Sequence, residues 1–470
     1  YTMKHLYLIF SAIFCISLFS AGNLFAYSGE GSGTETDPYQ ITTVEELQEM
    51  NNDLTAHYVL INDIHAGITS EWNGGKGFTP IGYEFTGSLD GQGYNIINMY
   101  SHDITAVTGL FQKVCEGAVI SNLNMVDLSI SSPIDDFVTG AIAGYNYGTI
   151  SNCVISGQIT ATHLVGGLVG HNHGTIIDCH SSCDVGDGSV SSGAGGLVHN
   201  NYGTIRNCST SGTVKSIGGS GGIADVNRET GIILNCHTTA IVDGDNGTGG
   251  FLGSNVGVIR NCYSTGSVCE TYESILNHGG FVGYNEGEIT DCYSTGMSYG
   301  RTNLGGFVGN NEGSGIIKRC FSKGDVFSYG GFTGFGGFVG QNNATIEYCR
   351  AYGSVSANTP NEALRTGGFA GINNSSGTIN NCYSFGDVMG SLVGGFTGYN
   401  NEGTITNCFS LGAASGNNEI GGFVGLNNSG TIQNCFWNTE TSGLTNSDGG
   451  TGKTTAELKN IATFTSTATT

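Results

Sequence analysis

One glycine-rich phrase recurs along this chain at a spacing of about 28 residues, and it constrains the fold more than any other feature. Its copies begin at Gly140, Gly166, Gly195, Gly221, Gly249, Gly279, Gly305, Gly336, Gly367, Gly394 and Gly421. A fixed period of this length is typical of solenoids, in which each repeat forms one coil and packs against its neighbours. The sequence therefore predicts a rod built from stacked coils.

An asparagine stands six residues after the first glycine of every copy, and Asn285, Asn311 and Asn342 belong to this column. Asn tolerates left-handed backbone and forms hydrogen bonds through its side-chain amide. Identical amides in stacked coils can bond to one another along the stack. The column is therefore predicted to form a hydrogen-bonded ladder at a turn.

Two apolar columns predict the core. An isoleucine stands three residues before each repeat cysteine, as Ile289 stands before Cys292. The third position of the phrase is Ile or Leu in the first four copies and Phe in the rest, including Phe281, Phe307 and Phe338. Because neighbouring strands lie ~4.8 Å apart, these rings are expected to stack face to face inside the rod.

The spacing between Ile289 and Cys292 predicts a bend, because residues three apart point to opposite faces of a straight strand. The residue just before the repeat cysteine is Asn or Asp in nine of eleven copies, which favours a tight bend. With that bend both side chains face inward. A straight strand would instead bury Asp291 and Tyr293, and a buried polar column costs free energy.

The repeat cysteines are predicted to be free, buried thiols. Stacked Cβ atoms ~4.8 Å apart exceed the ~3.5–4.5 Å that a disulfide needs. A single file of sulfur atoms also cannot surround a zinc ion tetrahedrally. Cys115, Cys183 and Cys269 lie outside the column, so this argument does not cover them.

These columns together predict an all-β fold, a parallel β-solenoid of about a dozen coils that is right-handed by the general rule for parallel crossovers. At ~4.8 Å per coil the rod would be roughly 55–60 Å long. The stretch "ITTVEELQEM" predicts a short capping helix at the N-terminal end, with Thr42 or Thr43 as N-cap and Glu45 or Glu46 three residues on.

The chain divides into four parts on these patterns. Residues 1–26 have a basic start, an apolar run and small residues near Ala26, which predicts a secretory signal peptide. Residues 27–107 form the N-terminal cap and the entry coils, 108–441 the repeats, and 442–470 a C-terminal exit segment. The predicted location is secreted or at the cell surface, and no segment is long enough to span a membrane.

The phrase "GGFVGYNEGEITDCYSTG" and its copies resemble the GLUG motif, a short glycine-rich repeat of secreted bacterial proteins. The resemblance covers residues from Gly140 to about Thr441. It implies a bacterial surface or secreted scaffold, since this family occurs in adhesins, other large surface proteins and IgA-cleaving metallopeptidases. The resemblance also implies that the exit segment 442–470 leads into further modules and is truncated here, and it leaves the ligand open.

The sequence predicts no enzyme and no cofactor. None of the eleven His is followed by Glu as a His-Glu-x-x-His zinc helix demands. A net charge of −23 with only 15 Lys and Arg also argues against a nucleic-acid partner. The alternative is a β-helix carbohydrate-active enzyme, a polysaccharide lyase or glycoside hydrolase, whose site needs carboxylates gathered on one face. The basic residues Arg301, Arg319, Arg350 and Arg365 fall in different columns.

The nearest acidic pair, Glu286 and Glu312, follows the ladder asparagines of adjacent coils. Two carboxylates could share a cation such as Ca²⁺, but this ion takes six to eight oxygen ligands. The favoured interpretation is a pair of solvated turn carboxylates. His171 and His173 in "HNHG" are likewise weak metal candidates.

One column is predicted to face outward and to carry function. Directly after the repeat cysteine come Tyr263, Tyr293, Phe321, Tyr383, Phe409 and Phe436. A stripe of exposed aromatic rings can bind glycans or host or bacterial surface proteins. The competing interpretation is that the rings only stack on one another along the strands. The sequence thus predicts a non-catalytic exported scaffold that is adhesive or stalk-like.

Overall fold

A computed structural model of the protein describes residues 27–102, 107–132, 138–188, 193–269, 276–331, 333–357 and 364–465. Its strands form a parallel β-solenoid of about 13 turns, which confirms the predicted fold class. The signal peptide predicted for residues 1–26 lies outside the described residues. None of the described helices is long and apolar enough to cross a membrane.

Each coil passes through four sheets, which we name after the residues that mark them. In one coil, Leu276–Gly279 lies in the Gly sheet, Val282–Asn285 in the Asn sheet and Glu288–Thr290 in the Ile sheet. Tyr293–Ser294 and Ser298–Gly300 then lie in the Tyr sheet, which receives two strands from a typical coil. Strands of neighbouring coils pair in parallel in all four sheets.

The Ile sheet has 15 strands and carries the inward isoleucine column, in which Ile259, Ile289 and Ile317 are direct register partners. Its strands are Tyr39–Ile41, His57–Leu60, Ser88–Asp90, Val119–Ser121, Thr149–Ser151, Thr175–Ile177, Thr204–Arg206, Ile232–Leu234, Val258–Arg260, Glu288–Thr290, Ile316–Lys318, Thr345–Glu347, Thr378–Asn380, Thr404–Thr406 and Thr431–Gln433. The N-terminal segment therefore joins the same sheet as the repeats.

The Tyr sheet has 25 strands and presents one face to solvent. Its strands are Ile64–His65, Asn95–Ile97, Tyr100–His102, Asn124–Ser132, Val154–Ala161, His180–Ser181, Asp184–Val185, Ser209–Thr210, Thr213–Lys215, His237–Thr238, Ile241–Asp243, Tyr263–Ser264, Val268–Cys269, Tyr293–Ser294, Ser298–Gly300, Phe321–Ser322, Val326–Ser328, Arg350–Ala351, Val355–Ala357, Tyr383–Ser384, Val388–Gly390, Phe409–Ser410, Ala414–Gly416, Phe436–Asn438 and Thr451–Lys453. Side chains alternate between buried and outward positions along these strands.

The Gly sheet has 12 strands, and ten of them end at the first of the two glycines that open the repeat phrase. Its strands are Val107–Thr108, Val138–Thr139, Val165–Gly166, Ala194–Gly195, Ser220–Gly221, Asn246–Gly249, Leu276–Gly279, Leu304–Gly305, Gly334–Gly336, Arg365–Gly367, Leu392–Gly394 and Ile420–Gly421. A Cβ atom at Gly279 would lie 2.0 Å from the Val282 carbonyl oxygen, and one at Gly280 would lie 2.3 Å from the Gly306 carbonyl oxygen. Only glycine fits this corner, which explains the recurring pair.

The Asn sheet has 12 strands, and the ladder asparagine stands at or next to the end of each repeat strand. Its strands are Phe111–Val114, Ala143–Asn146, Val169–Asn172, Val198–Asn201, Ala224–Asn227, Leu252–Asn255, Val282–Asn285, Val308–Asn311, Val339–Asn342, Ala370–Asn373, Thr397–Asn401 and Val424–Asn428. The Asn285 Nδ2 atom donates to Asn311 Oδ1 at 2.8 Å, and the Asn311 Nδ2 atom donates to Asn342 Oδ1 at 2.9 Å. The same bond links every neighbouring pair from Asn146 to Asn427.

The ladder amides also bond to the backbone of the turn that follows. The Asn285 Nδ2 atom contacts the Gly287 carbonyl oxygen at 3.2 Å, and Asn285 is fully buried. The ladder asparagines do not use left-handed backbone, although the sequence argument allowed for it. Their side-chain chemistry alone therefore accounts for Asn at this position.

Left-handed backbone occurs instead at the bend before the repeat cysteine. The residue preceding each column cysteine has a φ between 53° and 57°, including Asp291 at 57°. This bend resets the side-chain alternation, so Ile289 and Cys292 are both buried. Arg319 and Tyr348 adopt the same conformation although neither is Asn, Asp or Gly.

The core is a set of continuous side-chain stacks. The rings of Phe251, Phe281, Phe307, Phe338, Phe369, Phe396 and Phe423 are fully buried, and successive centroids lie 4.6–4.9 Å apart. Neighbouring ring planes differ by 15° or less. Because each ring packs between two others, every coil buries its apolar surface against its neighbours.

Short helices lie near both ends of the described chain. The helix Val44–Glu49 begins at Thr43, whose side chain accepts a hydrogen bond from the Glu46 N–H in a capping box, and Val44 and Leu47 pack in the core. Two 3₁₀ helices follow at Met50–Asn52 and Gly67–Gly74. At the other end the helices are Thr439–Ser442, Thr455–Leu458 and Ala462–Thr465.

Replacing Tyr348 with Asn is predicted to stabilise the protein by about 1 kcal/mol, since a non-Gly residue in left-handed backbone costs roughly 1–2 kcal/mol and Asn tolerates it best. The Tyr348 side chain is 54% exposed, so its removal sacrifices little packing. Thermal unfolding followed by circular dichroism should show a higher Tm. The control is Tyr348→Ala, which also removes the ring but lacks the Asn side-chain amide that favours left-handed backbone. An equal rise in Tm in this variant would contradict the explanation.

Candidate functional site

The outward aromatic column of the Tyr sheet is the strongest candidate for a binding site. Its rings stack along the rod, with centroids 4.8 Å apart between His237 and Tyr263, between Tyr263 and Tyr293, and between Tyr293 and Phe321. Tyr383 and Phe409 continue the column at 4.9 Å. These side chains are half-buried, and burial raises the pKa of the Tyr293 hydroxyl.

Stacking decides which part of each ring a ligand can reach. The planes of Tyr263 and Tyr293 differ by 2°, as do those of Tyr293 and Phe321. Ring faces inside such a stack are covered by the neighbouring rings, so the ring edges point to solvent. Aromatic edges carry partial positive charge, whereas the faces are negative. The column therefore offers a surface that suits oxygen atoms better than the C–H face of a sugar.

Arg350 interrupts the aromatic column. It pairs in register with Phe321 on one side and Tyr383 on the other. Its guanidinium carbon lies 5.4 Å from the centroid of the Tyr383 ring. The Lys323 Nζ atom lies 5.4 Å from the Phe321 centroid and 5.9 Å from the Tyr352 centroid. The structure thus brings two cations into contact with the aromatic face.

A second outward column lies beside the first, and the sequence analysis missed it. Tyr352 and Phe385 stand three residues after their repeat cysteines, and their rings stack at 5.0 Å. Lys323 occupies the same column in the preceding coil. The alternation of side chains along a strand could have revealed it, because the first and third residues after the cysteine lie on the same face. For the same reason, Arg350 and Lys323 lie on one surface although they fall in different sequence columns.

The C-terminal segment covers one end of this aromatic face. The Phe464 ring centroid lies 5.6 Å from that of Phe436 and 6.2 Å from that of Phe409. A cavity of about 460 Å³ remains beneath it, and its lining is Phe385, Phe409, Leu411, Asn438, Thr455, Leu458, Lys459 and Phe464. The outer rings can therefore hold an apolar partner, here supplied by the chain itself.

Glu286 and Glu312 converge on a single hydroxyl group. The Tyr284 Oη atom lies 2.9 Å from a carboxylate oxygen of each, and partial burial together with both carboxylates raises the Tyr284 pKa. The Asn310 Nδ2 atom also donates to Glu312 at 2.7 Å. Because the hydroxyl fills the gap between the carboxylates, a sugar ring has no space there. The shared Ca²⁺ stays a prediction, and no described group of three or more His, Cys, Asp or Glu could hold a metal ion.

The histidines in "HNHG" belong to packed aromatic clusters. His173 lies between Tyr147 and Tyr202, with both centroid distances 4.5 Å. Burial and the neighbouring His199 lower the pKa of His171 to about 3, so this imidazole is neutral. The His199 Nε2 atom lies 3.3 Å from Asp225 Oδ2. Both residues stand at the fifth position of the repeat phrase, at which the other nine copies have glycine.

The repeat cysteines form a buried file of thiols. All eleven are free and buried, and the Cys292 Sγ atom lies 3.2 Å from the Thr290 carbonyl oxygen. The Cys292 N–H points at the Cys320 Sγ atom at 3.4 Å. Burial raises the pKa of the Cys292 and Cys320 thiols well above the usual value. Hydrogen bonds with neighbouring thiols instead lower the pKa of Cys179 to about 4 and also lower that of Cys435. Because all eleven thiols are buried, reagents cannot reach them, and we interpret the column as structural.

Comparison with protein families identifies the repeat. The profile described as "The GLUG motif" matches residues 161–186, 277–298 and 300–326. The chain carries GLUG-motif repeats. Each matched segment passes through the Gly, Asn and Ile sheets and ends in the Tyr sheet; two of them also begin in the Tyr sheet, and 277–298 begins in the Gly sheet. One GLUG motif therefore corresponds to about one coil.

Two relatives match part of the chain. Halomucin of Haloquadratum walsbyi is 38% identical over 138 residues, which cover 28% of this chain and 2% of halomucin. A protein of Evansella cellulosilytica, named as a Gly-rich membrane protein, is 33% identical over 129 residues, which cover 26% of this chain and 15% of the relative. The chain thus spans a small part of both relatives.

A solved structure described as an immunoglobulin A1 protease of Bacteroides ovatus is also similar. It is 18% identical, and the match covers 92% of this chain and 88% of that chain with a TM-score of 0.30. At this TM-score the likeness carries no argument about the GLUG-repeat chain. The motif match therefore shows a repeat protein.

Native protein is predicted to react with a thiol reagent such as DTNB at Cys115 and Cys269, which are the half-exposed cysteines among the described residues. Cys269 should react more slowly, because burial and the nearby Asp243 raise the pKa of its thiol. The eleven column cysteines and Cys183 are buried and should react only after denaturation, because reagents attack the thiolate and need access. Mass spectrometry of labelled peptides would locate the modified residues. Rapid native labelling at Cys292, or peptides joined by disulfides, would contradict the assignment.

Proposed function

We propose that this chain is a non-catalytic, stalk-like scaffold of a secreted or cell-surface protein, which presents an adhesive face along its length. The observation that supports it most is the unbroken side-chain ladder from Asn146 to Asn427. A continuous ladder couples every coil to the next, so load applied along the chain is shared by successive coils. The similarity to halomucin and to a Gly-rich membrane protein supports the surface location.

The stalk function is tested by pulling the chain from its two ends in an optical trap. Each coil contacts mainly its neighbours, so it should peel away as a unit. Release of one coil of about 28 residues should extend the chain by roughly 90–100 Å, given 3.3–3.6 Å per extended residue. Repeated steps of this size are expected. Extension without resolved resistance would contradict a load-bearing role.

The rival function, a carbohydrate-active enzyme of the β-helix type, makes a different prediction. Purified protein would release reducing ends or unsaturated products from acidic polysaccharides, and a single carboxylate change would abolish that release. We expect no turnover, because Tyr284 occupies the space between Glu286 and Glu312. Turnover that disappears in Glu286→Gln or Glu312→Gln would replace the scaffold proposal with the enzymatic one.

A further inference from the structure

We propose that the outer face of the Tyr sheet around Lys323 and Arg350 binds an anionic polysaccharide through its carboxylate or sulfate groups. We call this surface the cationic patch; it consists of Phe321, Lys323, Arg350, Tyr352 and Tyr383. The inference rests on the proposed function, since it names the ligand class of the adhesive face.

Both cations of the patch are exposed, and within the described part of the chain neither has a carboxylate partner. Lys323 and Arg350 lie in adjacent coils, and neither forms an ion pair with a described residue. Other cations of neighbouring coils are paired: Lys318 contacts Glu347 at 3.1 Å, and Arg319 contacts Asp291 at 2.7 Å. In a chain with 38 acidic and 15 basic residues, two unpaired cations on one face are available to an external anion.

Two carboxylates lie on the same face, but each accepts a hydrogen bond from a backbone N–H group. Asp325 accepts a hydrogen bond from the Ser354 N–H, and Asp387 accepts one from the Ala413 N–H, both at 2.8 Å. These bonds keep the carboxylates along the line of turns between the two strands of each coil. They reduce the positive potential of the patch without occupying its cations.

The aromatic part of the patch also favours an anion. Outward ring edges carry partial positive charge, and the hydroxyl groups of Tyr352 and Tyr383 can donate hydrogen bonds. The Arg350 guanidinium is planar and can bind a carboxylate or a sulfate through two parallel hydrogen bonds. It is already positioned against the Tyr383 ring, so less conformational entropy is lost on binding.

The shape of the face favours a polysaccharide over a peptide. Peptides are usually bound by addition to a free strand edge, in a groove for a helix, or by a track for polyproline. Here Phe321, Arg350 and Tyr383 pair with one another across three successive coils, so the patch is the face of a sheet and not an edge. A polysaccharide repeats its anionic groups along an extended chain and can meet cations in two adjacent coils.

Charge elsewhere on the molecule limits the range of this attraction. The net charge of −23 repels a polyanion at a distance, but the Debye length is only ~8 Å at physiological ionic strength. Binding must therefore come from direct contact at the patch, and it should weaken as salt is added.

Affinity electrophoresis of the full chain in gels that contain polygalacturonate or dextran sulfate tests the proposal, with neutral dextran as the reference polymer. Retardation by the anionic polymers is expected. Lys323→Ala and Arg350→Ala should each weaken binding by about tenfold, the equivalent of one lost charge-assisted hydrogen bond. Both side chains are exposed, so an unchanged Tm should show that the variants fold.

Lys215→Ala is the matched control, because it removes one exposed positive charge away from the patch. Equal weakening by Lys215→Ala, equal retardation by neutral dextran, or no retardation of the wild-type chain at low salt would each overturn the site. Poly-glutamate that binds as tightly as polygalacturonate, with the same dependence on Lys323 and Arg350, would replace the polysaccharide with an acidic protein. None of these results would affect the stepwise extension expected of the stalk.

Discussion

The structure depends on a file of buried side-chain amides that runs along the rod. Each ladder asparagine donates to the next and accepts from the one before, with Nδ2 to Oδ1 distances of 2.8–2.9 Å. A buried amide without partners would cost free energy, so these side chains require a neighbouring coil in register. The ladder therefore fixes the spacing of the coils and makes a one-residue slip unfavourable. The Phe stacks, the isoleucine column and the thiol file all share this register.

The other recurring positions are explained by the turns that each coil must make around the ladder asparagines. Two glycines let the backbone of neighbouring coils approach at the corner between the Gly and Asn sheets. A left-handed residue before each cysteine turns the chain again, so Ile289 and Cys292 both reach the core. The positions that require glycine or left-handed backbone lie at these corners. The outer face of the Tyr sheet has no such requirement, so its residues can vary. Any specific recognition is therefore expected on that face.

Much of this architecture could be predicted from the sequence, because each coil has the same residue types at the same structural positions. Asn285, Ile289 and Phe281 each have equivalents at the same position in other coils, and a residue type that recurs at one position indicates the environment of that position. The cationic patch could not be found this way, since Lys323 and Arg350 each occur once in their columns. Their proximity depends on register between coils and on the strand period of two. The contact of Phe464 with Phe436 could not be predicted either, because Phe464 lies in the exit segment outside the repeat.

The most direct test of the ladder is the change in Tm when one amide is removed from its middle. Asn285→Ala takes the acceptor from Asn255 and the donor from Asn311, and each unsatisfied buried group costs about 1–3 kcal/mol. Asn374→Ala is the control, because its amide bonds to Asn343 in a part-buried ladder that water can reach. The account predicts a clearly lower Tm for Asn285→Ala than for Asn374→Ala. Equal Tm values for the two variants would contradict it.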